Sequence, residues 1–287
     1  VVQITAGTLS KNTVTVINGS GSDEYVEGTA VTIIANAPDG TKVFVGWTGA
    51  DGLTFINGTS VASAEATFTM PAAAVTLTAT YADAEANVTV NGTTTGYPTI
   101  EEAVAAASEA SGTITVKLLK KAETDNQIVI NKGEFTIDLN GNEIKAKSSG
   151  FLVQQDTKIT FTDSASGGTV LAVSGSAITV GNTAYSDKQT TVVLEKGHYE
   201  SASTTISLET PQSNVIIAEG ASVHTSGSIY YYAPIKTNGI LEVTNDNLSG
   251  GTADIMYVDG TVTLKGDPDK LTLVASSTST MPISSLT

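Results

Sequence analysis

The sequence is poor in several residue types that usually stabilise a protein or serve in catalysis. It contains no cysteine, no arginine, one tryptophan and two histidines among 287 residues. The absence of cysteine excludes disulfide staples, a pattern common on Gram-positive surfaces. All 14 basic residues are lysine, and the formal net charge is −15. Such a chain repels nucleic acid and anionic membrane surfaces, so we expect neither as a partner.

Long apolar runs are absent as well. No stretch approaches the roughly 18 consecutive apolar residues that a membrane-spanning helix requires, so we expect no membrane insertion. Neither a signal peptide nor a C-terminal anchoring signal is visible, and we expect the native chain to extend beyond Val1 and Thr287.

The residues that are abundant favour strands and turns. Apolar residues make up 40% of the chain and aromatic residues 6%, which allows a core built mainly from Val, Ile, Leu and Ala. Thr, Ser, Gly and Val are frequent, a composition that favours β-structure over helix. The length allows more than one domain. We therefore predict an all-β protein of two domains, 1–82 and 87–287, joined by a polar linker at 83–86.

Short strands separated by turn signals predict a small β module over residues 1–82. Its predicted strands span 14–17, 31–35, 43–47, 66–69 and 75–81, with a loop at 18–22 and turns at 27–29 and 37–40. Trp47 could stack on a sugar. We favour a place in the core beside Phe44 and Phe68, because small domains depend on large aromatic side chains for burial.

Six short motifs in this region occur in a characteristic order. They are YVEG at 25–28, VTI at 31–33, PDG at 38–40, FVGW at 44–47, FTMP at 68–71 and VTL at 75–77. Their order, and above all the separation between the GW and FTMP motifs, resembles a divergent internalin-type B repeat. The resemblance implies a small β-sheet spacer of bacterial surface proteins, which is a stalk module and not a catalytic one.

A single helix is predicted at about 99–110, after a tight turn at Asn91 and Gly92. Thr99 is a candidate N-cap, and Glu102 completes a capping box. One apolar face at helical spacing is formed by Ile100, Ala103, Val104 and Ala107. Gly112 ends the helix. Because a lone helix of this length is marginal in water, we predict that it caps the open end of a β-helix, covering exposed core and strand edges.

From residue 114 onward, short apolar strands recur without another helix. The predicted strands span 114–119, 128–130, 135–139, 151–153, 158–162, 170–173, 177–180, 191–195, 205–208, 214–218, 229–232, 240–243, 254–258, 261–264 and 271–274. Equivalent positions are taken as Ile137, Ile159, Val193, Ile216, Val243 and Thr263, which gives steps of 22, 34, 23, 27 and 20 residues. Repeats of this size predict stacked units, here the coils of a right-handed parallel β-helix. The longest step leaves room for an inserted loop at 181–189.

The segment IDLNGN at 137–142 resembles the first full coil of the pectate-lyase-like β-helix superfamily. This resemblance implies the parallel β-helix topology for the second domain. The alternative is a series of β-sandwich modules, which also have short strands and regular turns. We favour the β-helix because strands of three to five residues after a single helix do not suit a sandwich.

No catalytic set stands out, so no catalytic residue is assigned. Lyases of that superfamily typically use an arginine or lysine base beside aspartate-bound calcium. Arginine is absent, and Lys158, Lys196 and Lys236 have no flanking acidic cluster. Glycoside hydrolysis needs two cooperating carboxylates, and the acids near strand ends form no adjacent Asp–Asp pair. These acids are Asp163, Glu195, Glu209, Asp254 and Asp259, and most acids are expected to be solvated turn residues.

We also expect no metal and no cofactor. The segment 197–200 is predicted as a turn that enters the next strand. His198 and His224 are interpreted as surface residues, because metal or acid–base roles need convergent partners. The oxygen-rich turns at 245–247 and 267–269 lack the full spacing of a calcium-binding loop, and Asx turns explain both.

Four tyrosines are the candidate ligand-binding residues: Tyr185, Tyr199, Tyr230 and Tyr232. In a strand, Tyr230 and Tyr232 share one face. Together with Tyr185 and Tyr199 they could form an aromatic patch for a glycan or a peptide. An ordinary stacked ladder in the core is the alternative.

These observations lead to the hypothesis of a secreted, monomeric bacterial protein, located at the cell surface or associated with the cell wall. The leading hypothesis is an adhesin. Its β module would be a spacer, and its β-helix would bind a glycan or an extracellular host protein through many shallow contacts. A polysaccharide lyase or glycoside hydrolase of the β-helix class, and a purely structural stalk, are the alternatives.

Overall fold

The computed structural model describes residues 9–225 and five short strands at 235–237, 240–243, 248–250, 256–258 and 264–265. The chain divides into two compact units, Val1–Asp83 and Ala84–Thr287. Tyr230, Tyr232, the turns at 245–247 and 267–269 and the predicted strand at 271–274 lie outside the described residues.

The first unit consists of two small sheets. Its strands are β1 (Lys11–Ile17), β2 (Gly19–Ser20), β3 (Asp23–Val26), β4 (Ala30–Ala35), β5 (Lys42–Thr48), β6 (Glu65–Thr69) and β7 (Val75–Asp83). One sheet has the order β3-β1-β7-β5 and the other the order β2-β4-β6. The five predicted strands are confirmed. The prediction of a loop at 18–22 was wrong in part, because β2 lies within it, and β3 directly after it was missed. Both strands are short and mainly polar, so they lack an apolar alternation.

The core of the first unit surrounds the single tryptophan, as predicted. Trp47 is 4% exposed, and its ring lies edge-on to Phe44 at a centroid distance of 5.7 Å. Its indole Nε1–H donates a hydrogen bond to the carbonyl of Ser63 at 2.9 Å. Phe68 is fully buried in the same cluster. A burial this complete leaves Trp47 no face for a sugar, so it stabilises the module.

The second unit begins with a hairpin and the single α-helix of the described residues, and it continues as short strands. The hairpin strands are β8 (Ala86–Val90) and β9 (Thr93–Tyr97), and the helix is α1 (Ile100–Glu109). The strands that follow are β10 (Ile114–Leu118), β11 (Ala122–Thr124), β12 (Ile128–Ile130), β13 (Glu134–Asp138), β14 (Glu143–Ala146), β15 (Phe151–Val153), β16 (Lys158–Thr162), β17 (Thr169–Ala172), β18 (Ile178–Val180), β19 (Thr190–Ser201), β20 (Ile206–Leu208), β21 (Ser213–Thr225), β22 (Ile235–Thr237), β23 (Ile240–Val243), β24 (Leu248–Gly250), β25 (Met256–Val258) and β26 (Leu264–Lys265).

These strands stack in parallel as a three-faced β-solenoid of about 5 turns over residues 115–225. Face A contains β10, β13, β16 and the first halves of β19 and β21. Face B contains β11, β14, β17 and the second halves of β19 and β21. Face C contains β12, β15, β18 and β20. The predicted solenoid is therefore confirmed, and its handedness stays a prediction.

The predicted register between coils is confirmed for Val193 and Ile216, which pair, and differs by one or two residues at the neighbouring steps. The inward positions of face A stack in the order Val116, Ile137, Phe161, Leu194 and Ile217. The predicted partner of Ile137 was Ile159, but Ile159 pairs with Phe135. The long step before Leu194 includes the predicted insertion at 181–189, which contains a 3-10 turn at Thr183–Tyr185.

The helix and hairpin cover the first coil as the amphipathic pattern predicts. Ile100, Ala103, Val104 and Ala107 are buried, and they belong to the solenoid core. Strand β8 pairs antiparallel with β10, so the edge of face A is not exposed. Thr99 caps the helix by accepting the N–H of Glu102 at 3.2 Å. The first free N–H, from Ile100, donates instead to Glu85 Oε1 at 2.8 Å, a partner that the sequence pattern did not indicate.

The solenoid interior is mainly aliphatic and contains a row of three aromatic rings. Phe151, Phe161 and Tyr199 are fully buried, with centroid distances of 5.0 Å and 6.0 Å between successive rings. The outer faces carry lysine–carboxylate pairs between neighbouring coils, such as Lys158 with Glu134 at 2.7 Å. Exposed pairs of this kind contribute little to stability, so burial of the interior holds the coils together.

Candidate functional site

The structure separates the two predicted ligand-binding tyrosines that it describes. Tyr185 is 40% exposed at the end of the 3-10 turn. Tyr199 is fully buried, which corrects the prediction that it joins an exposed aromatic patch. Strand alternation explains the difference, because Tyr199 is at an inward position of β19 between the outward His198 and Glu200. The ligand-binding roles of Tyr185, Tyr230 and Tyr232 stay predictions.

Tyr199 supports the wall of the solenoid from inside. Its phenol O–H donates a hydrogen bond to the carbonyl of Lys196 at 2.7 Å. Burial raises the pKa of this phenol well above its ordinary value, and the negative charges of Asp163 and Glu195 raise it further. The phenol therefore stays protonated and keeps the donor that fixes the backbone at the corner between faces A and B.

Two buried aspartates build the same corner in the earlier coils. Asp163 is 4% exposed, and its two oxygens accept the backbone N–H groups of Gly141 at 2.6 Å and Gly168 at 2.7 Å. Asp138 accepts the N–H of Asn140 and the N–H and hydroxyl of Ser164. Most acids were predicted to be solvated turn residues, and these two are exceptions. Their buried carboxylates accept backbone N–H groups that would otherwise bond to water.

An open cleft of about 330 Å³ lies at this corner. It is lined by Asp163, Ser166, Gly167, Gly168, Lys196, Gly197, His198, Gly220 and Ser222. The coils meet in register here, since Lys196 pairs with Gly220 and His198 pairs with Ser222. Four of the nine lining residues are glycines, so few side chains occupy the cleft.

Position 168 at this corner requires glycine, because atoms of neighbouring residues approach it closely. A Cβ at position 168 would lie 2.5 Å from the Cβ of Leu139 and 2.8 Å from the Cγ of Asp163. A side chain there would displace the carboxylate that accepts the N–H of Gly168 itself. The small residues therefore follow from the packing of the corner, and the cleft is a consequence of that packing.

The cleft lining contains one lysine, Lys196. Lys196 is exposed, and it forms no ion pair with any residue between 9 and 225. Most of the other described lysines are paired with carboxylates. The whole chain carries a net charge of −15, which repels anionic groups. Lys196 is a local positive charge on this chain.

Both histidines of the chain lie beside the cleft on the outside of face B. Their rings stack with a centroid distance of 6.3 Å and an angle of 26° between the planes. His198 Nδ1 is 2.8 Å from Ser222 Oγ, and Nε2 is 3.3 Å from Glu200 Oε2. Both side chains are partly exposed, as expected for surface residues, and the coil register places them on adjacent strands.

The sequence did contain a signal for this cluster. In β19 the order His198, Tyr199, Glu200 alternates outward, inward and outward, and β21 repeats this alternation through Ser222, Val223 and His224. Alignment of these two segments by coil places Glu200 opposite His224. The segment 197–200 was predicted as a turn, but β19 runs through it as one strand after an irregular register between Leu194 and Lys196.

The lining of the cleft contains few ionisable groups. Asp163 is the single carboxylate of the cleft lining, and both of its oxygens accept backbone N–H groups. The described residues hold no group of three histidine or acidic side chains that could hold a metal ion. The corner is thus a concavity lined by one lysine, serine hydroxyls and glycines.

The fold therefore defines a two-part protein, in which a small β module precedes a β-solenoid. A family model described as the divergent InlB B-repeat domain matches residues 2–85, which confirms the resemblance seen in the GW and FTMP motifs. Such a domain is typical of bacterial surface proteins, and the β-solenoid is compatible with that setting. No curated protein and no solved structure matches the chain. The pectate-lyase-like kinship of the solenoid stays a prediction.

The helical part of the structure agrees with the absence of long apolar runs. Within the described residues, no helix combines the length and the apolar character needed to span a bilayer.

Proposed function

We propose that this chain is the displayed part of a secreted, wall-associated bacterial adhesin. The first unit is the spacer, and the solenoid presents a binding face to a glycan or an extracellular protein. The observation that carries this proposal is the corner cleft between faces A and B, which is lined by polar side chains and four glycines. Its volume of about 330 Å³ lies within the range of small-ligand sites.

The cleft lining favours a glycan with an acidic group over an apolar ligand. Ser166 and Ser222 supply hydroxyls that can donate and accept hydrogen bonds. Lys196 supplies a positive charge that can pair with a carboxylate or sulfate. Binding is then a sum of polar contacts at the corner and shallow contacts along the coils.

The arrangement of carboxylates supports binding in preference to hydrolysis. Glycoside hydrolases place two carboxyl groups on opposite sides of the scissile bond. In this cleft Asp163 is buried, and its hydrogen bonds to Gly141 and Gly168 hold it in the wall of the solenoid. A group held in this way is suited to positioning the backbone, not to transferring a proton.

The proposal is tested with the purified full chain on an array of acidic and neutral glycans and on immobilised extracellular-matrix proteins. Lys196→Glu should reduce binding of an acidic ligand by tenfold or more, since it reverses the charge of the cleft. Lys145→Glu is the matched control, because Lys145 is a face-B lysine two coils away that also forms no ion pair within residues 9–225.

A second pair of variants tests shape. Ser222→Trp should fill the cleft and abolish binding, whereas Thr136→Trp, on the outside of face A, should not. Tyr230→Ala with Tyr232→Ala tests the predicted tyrosine contribution. Equal binding by all variants would show that the cleft is not used. No binding on any array would contradict the adhesin and favour the structural stalk.

A further inference from the structure

We propose that a groove on the outside of face C is a second binding site, and that it takes an uncharged saccharide. The groove has a volume of about 290 Å³ and shares no lining residue with the corner cleft. Leu152 and Thr179, which are paired outward residues of β15 and β18, both line it. This face-C groove does not depend on the acidic ligand proposed for the corner.

The inserted segment at 181–189 contributes three residues to the lining of the face-C groove, Gly181, Asn182 and Thr183. The coils on either side of the segment stack without a break, since β15, β18 and β20 pair in register. The insertion is therefore not needed to continue the solenoid. In repeat proteins, insertions of this kind commonly lie on the face that binds a ligand.

The insertion is held in place at both of its ends. At its start, Asn182 Nδ2 donates to Gln154 Oε1 at 2.6 Å, and Gln154 Nε2 donates to Asn131 Oδ1 at 2.6 Å. These three amides follow β18, β15 and β12, so they form a ladder across successive coils. At its end, the N–H of Gln189 donates to Asp156 Oδ1 at 3.3 Å. Because the segment is ordered before a ligand arrives, binding does not have to supply the free energy of ordering it.

Several polar side chains of the lining have hydrogen-bonding capacity to spare. Gln127, Thr179 and Thr183 are half-buried or exposed, and their side chains form no hydrogen bond with other residues between 9 and 225. One oxygen of the half-buried Glu209 accepts the hydroxyl of Ser207, which leaves its other oxygen as an acceptor. The hydroxyl groups of a saccharide both donate and accept, so they match amide, hydroxyl and carboxylate partners.

The charge and the apolar surface of the groove restrict the ligand further. Glu209 is the single ionisable side chain of the lining, and no basic residue lines it. With a net charge of −15 on the whole chain, the groove disfavours an acidic ligand. Leu152 adds a half-buried apolar side chain, against which the C–H groups of a sugar ring can pack. An uncharged saccharide satisfies both conditions.

The test uses the purified full chain on an array of neutral glycans, followed by calorimetric titration of the saccharides that bind. Glu209→Gln should weaken binding by about tenfold or more, since hydrogen bonds to a carboxylate are among the stronger ones. Thr179→Trp should abolish binding by filling the groove. The matched controls are Glu143→Gln, a half-buried outward glutamate of face B, and Thr160→Trp, at an outward position of face A. Both should bind as the unmodified chain does.

Two further measurements distinguish this groove from the corner cleft and do not rely on variants of the groove. Lys196→Glu should leave binding of the neutral saccharide unchanged, because Lys196 lines the other site. Hydrogen exchange of the unmodified chain should slow at 181–189 and 206–209 when the saccharide is added, and stay unchanged at 163–168 and 196–198. The proposal is overturned if no neutral saccharide binds, if the slowed exchange lies outside 181–189 and 206–209, or if folded Glu209→Gln and Thr179→Trp bind as tightly as their controls.

Discussion

Replacement of Asp163 by asparagine should destabilise the solenoid while it leaves the first unit intact. Asp163 is 4% exposed, and its two oxygens accept backbone N–H groups of Gly141 and Gly168 at 2.6 Å and 2.7 Å. Asparagine has the same shape but keeps one acceptor oxygen. Its NH₂ group would face a backbone donor, so one charge-assisted hydrogen bond is lost and a buried N–H is left without an acceptor.

The expected loss follows from these two terms. A hydrogen bond to a charged group contributes about 1.5–3 kcal/mol, and an unsatisfied buried donor adds a penalty, so the free energy of unfolding should fall by about 2–4 kcal/mol. Asp187→Asn is the control. Asp187 is exposed in the inserted loop, and its substitution should change stability by less than about 0.5 kcal/mol.

Urea unfolding can separate the two units because the single tryptophan lies in the first. Far-UV circular dichroism follows the solenoid strands, and the fluorescence of Trp47 follows the first unit. Asp163→Asn should shift the circular dichroism transition to lower urea and leave the fluorescence transition unchanged. A circular dichroism shift no larger than that of Asp187→Asn would refute the role assigned to the buried carboxylate.

Three further predictions concern residues that support the solenoid. Gly168→Ala places a Cβ 2.5 Å from that of Leu139 and should cost about 1–3 kcal/mol in urea unfolding, whereas the outward Thr160→Ala should cost less than about 0.5 kcal/mol. Tyr199→Phe removes the phenol that donates to the Lys196 carbonyl and should cost about 1–2 kcal/mol, while an unchanged midpoint would contradict the assigned role. Burial raises the pKa of Glu85 above its ordinary value, although the N–H of Ile100 opposes this, so the folded state holds the proton more tightly than the unfolded state. Stability should therefore fall as pH rises from the ordinary glutamate pKa through the raised folded value and then level off. Glu85→Gln keeps an acceptor for Ile100 and should remove this step from pH-dependent thermal melts, and a step that persists would contradict it.

The helix shows how far local pattern can predict this fold. Thr99 and the four apolar positions that follow lie within one short segment, so their spacing alone predicted both the cap and the buried face. Glu85 could not be predicted in the same way. It is 15 residues away from Ile100, and the pairing depends on how the hairpin folds over the first coil.

The corner cleft and the histidine pair depend on the register between coils, which the sequence specifies weakly. The coils differ in length, and equivalent positions such as Phe161 and Leu194 are separated by an insertion. An error of one or two residues in this alignment moves a side chain to the opposite face or to another row. For that reason the proximity of His198 to His224 was missed. Tyr199 was predicted at the surface because 197–200 was interpreted as a turn, whereas β19 runs through it and turns Tyr199 inward.

The register of the coils is the claim on which the cleft and the histidine pair both depend, and the absence of cysteine makes it directly measurable. Thr160 and Val193 are outward neighbours on β16 and β19, 33 residues apart in sequence. Cysteines at these two positions should oxidise to an intramolecular disulfide, because adjacent strands bring Cα atoms within disulfide range. Cysteines at Thr160 and Thr191, which are offset by two residues on the same face, should not. Equal cross-linking of both pairs, or cross-linking of the offset pair alone, would contradict the stacking described for this solenoid.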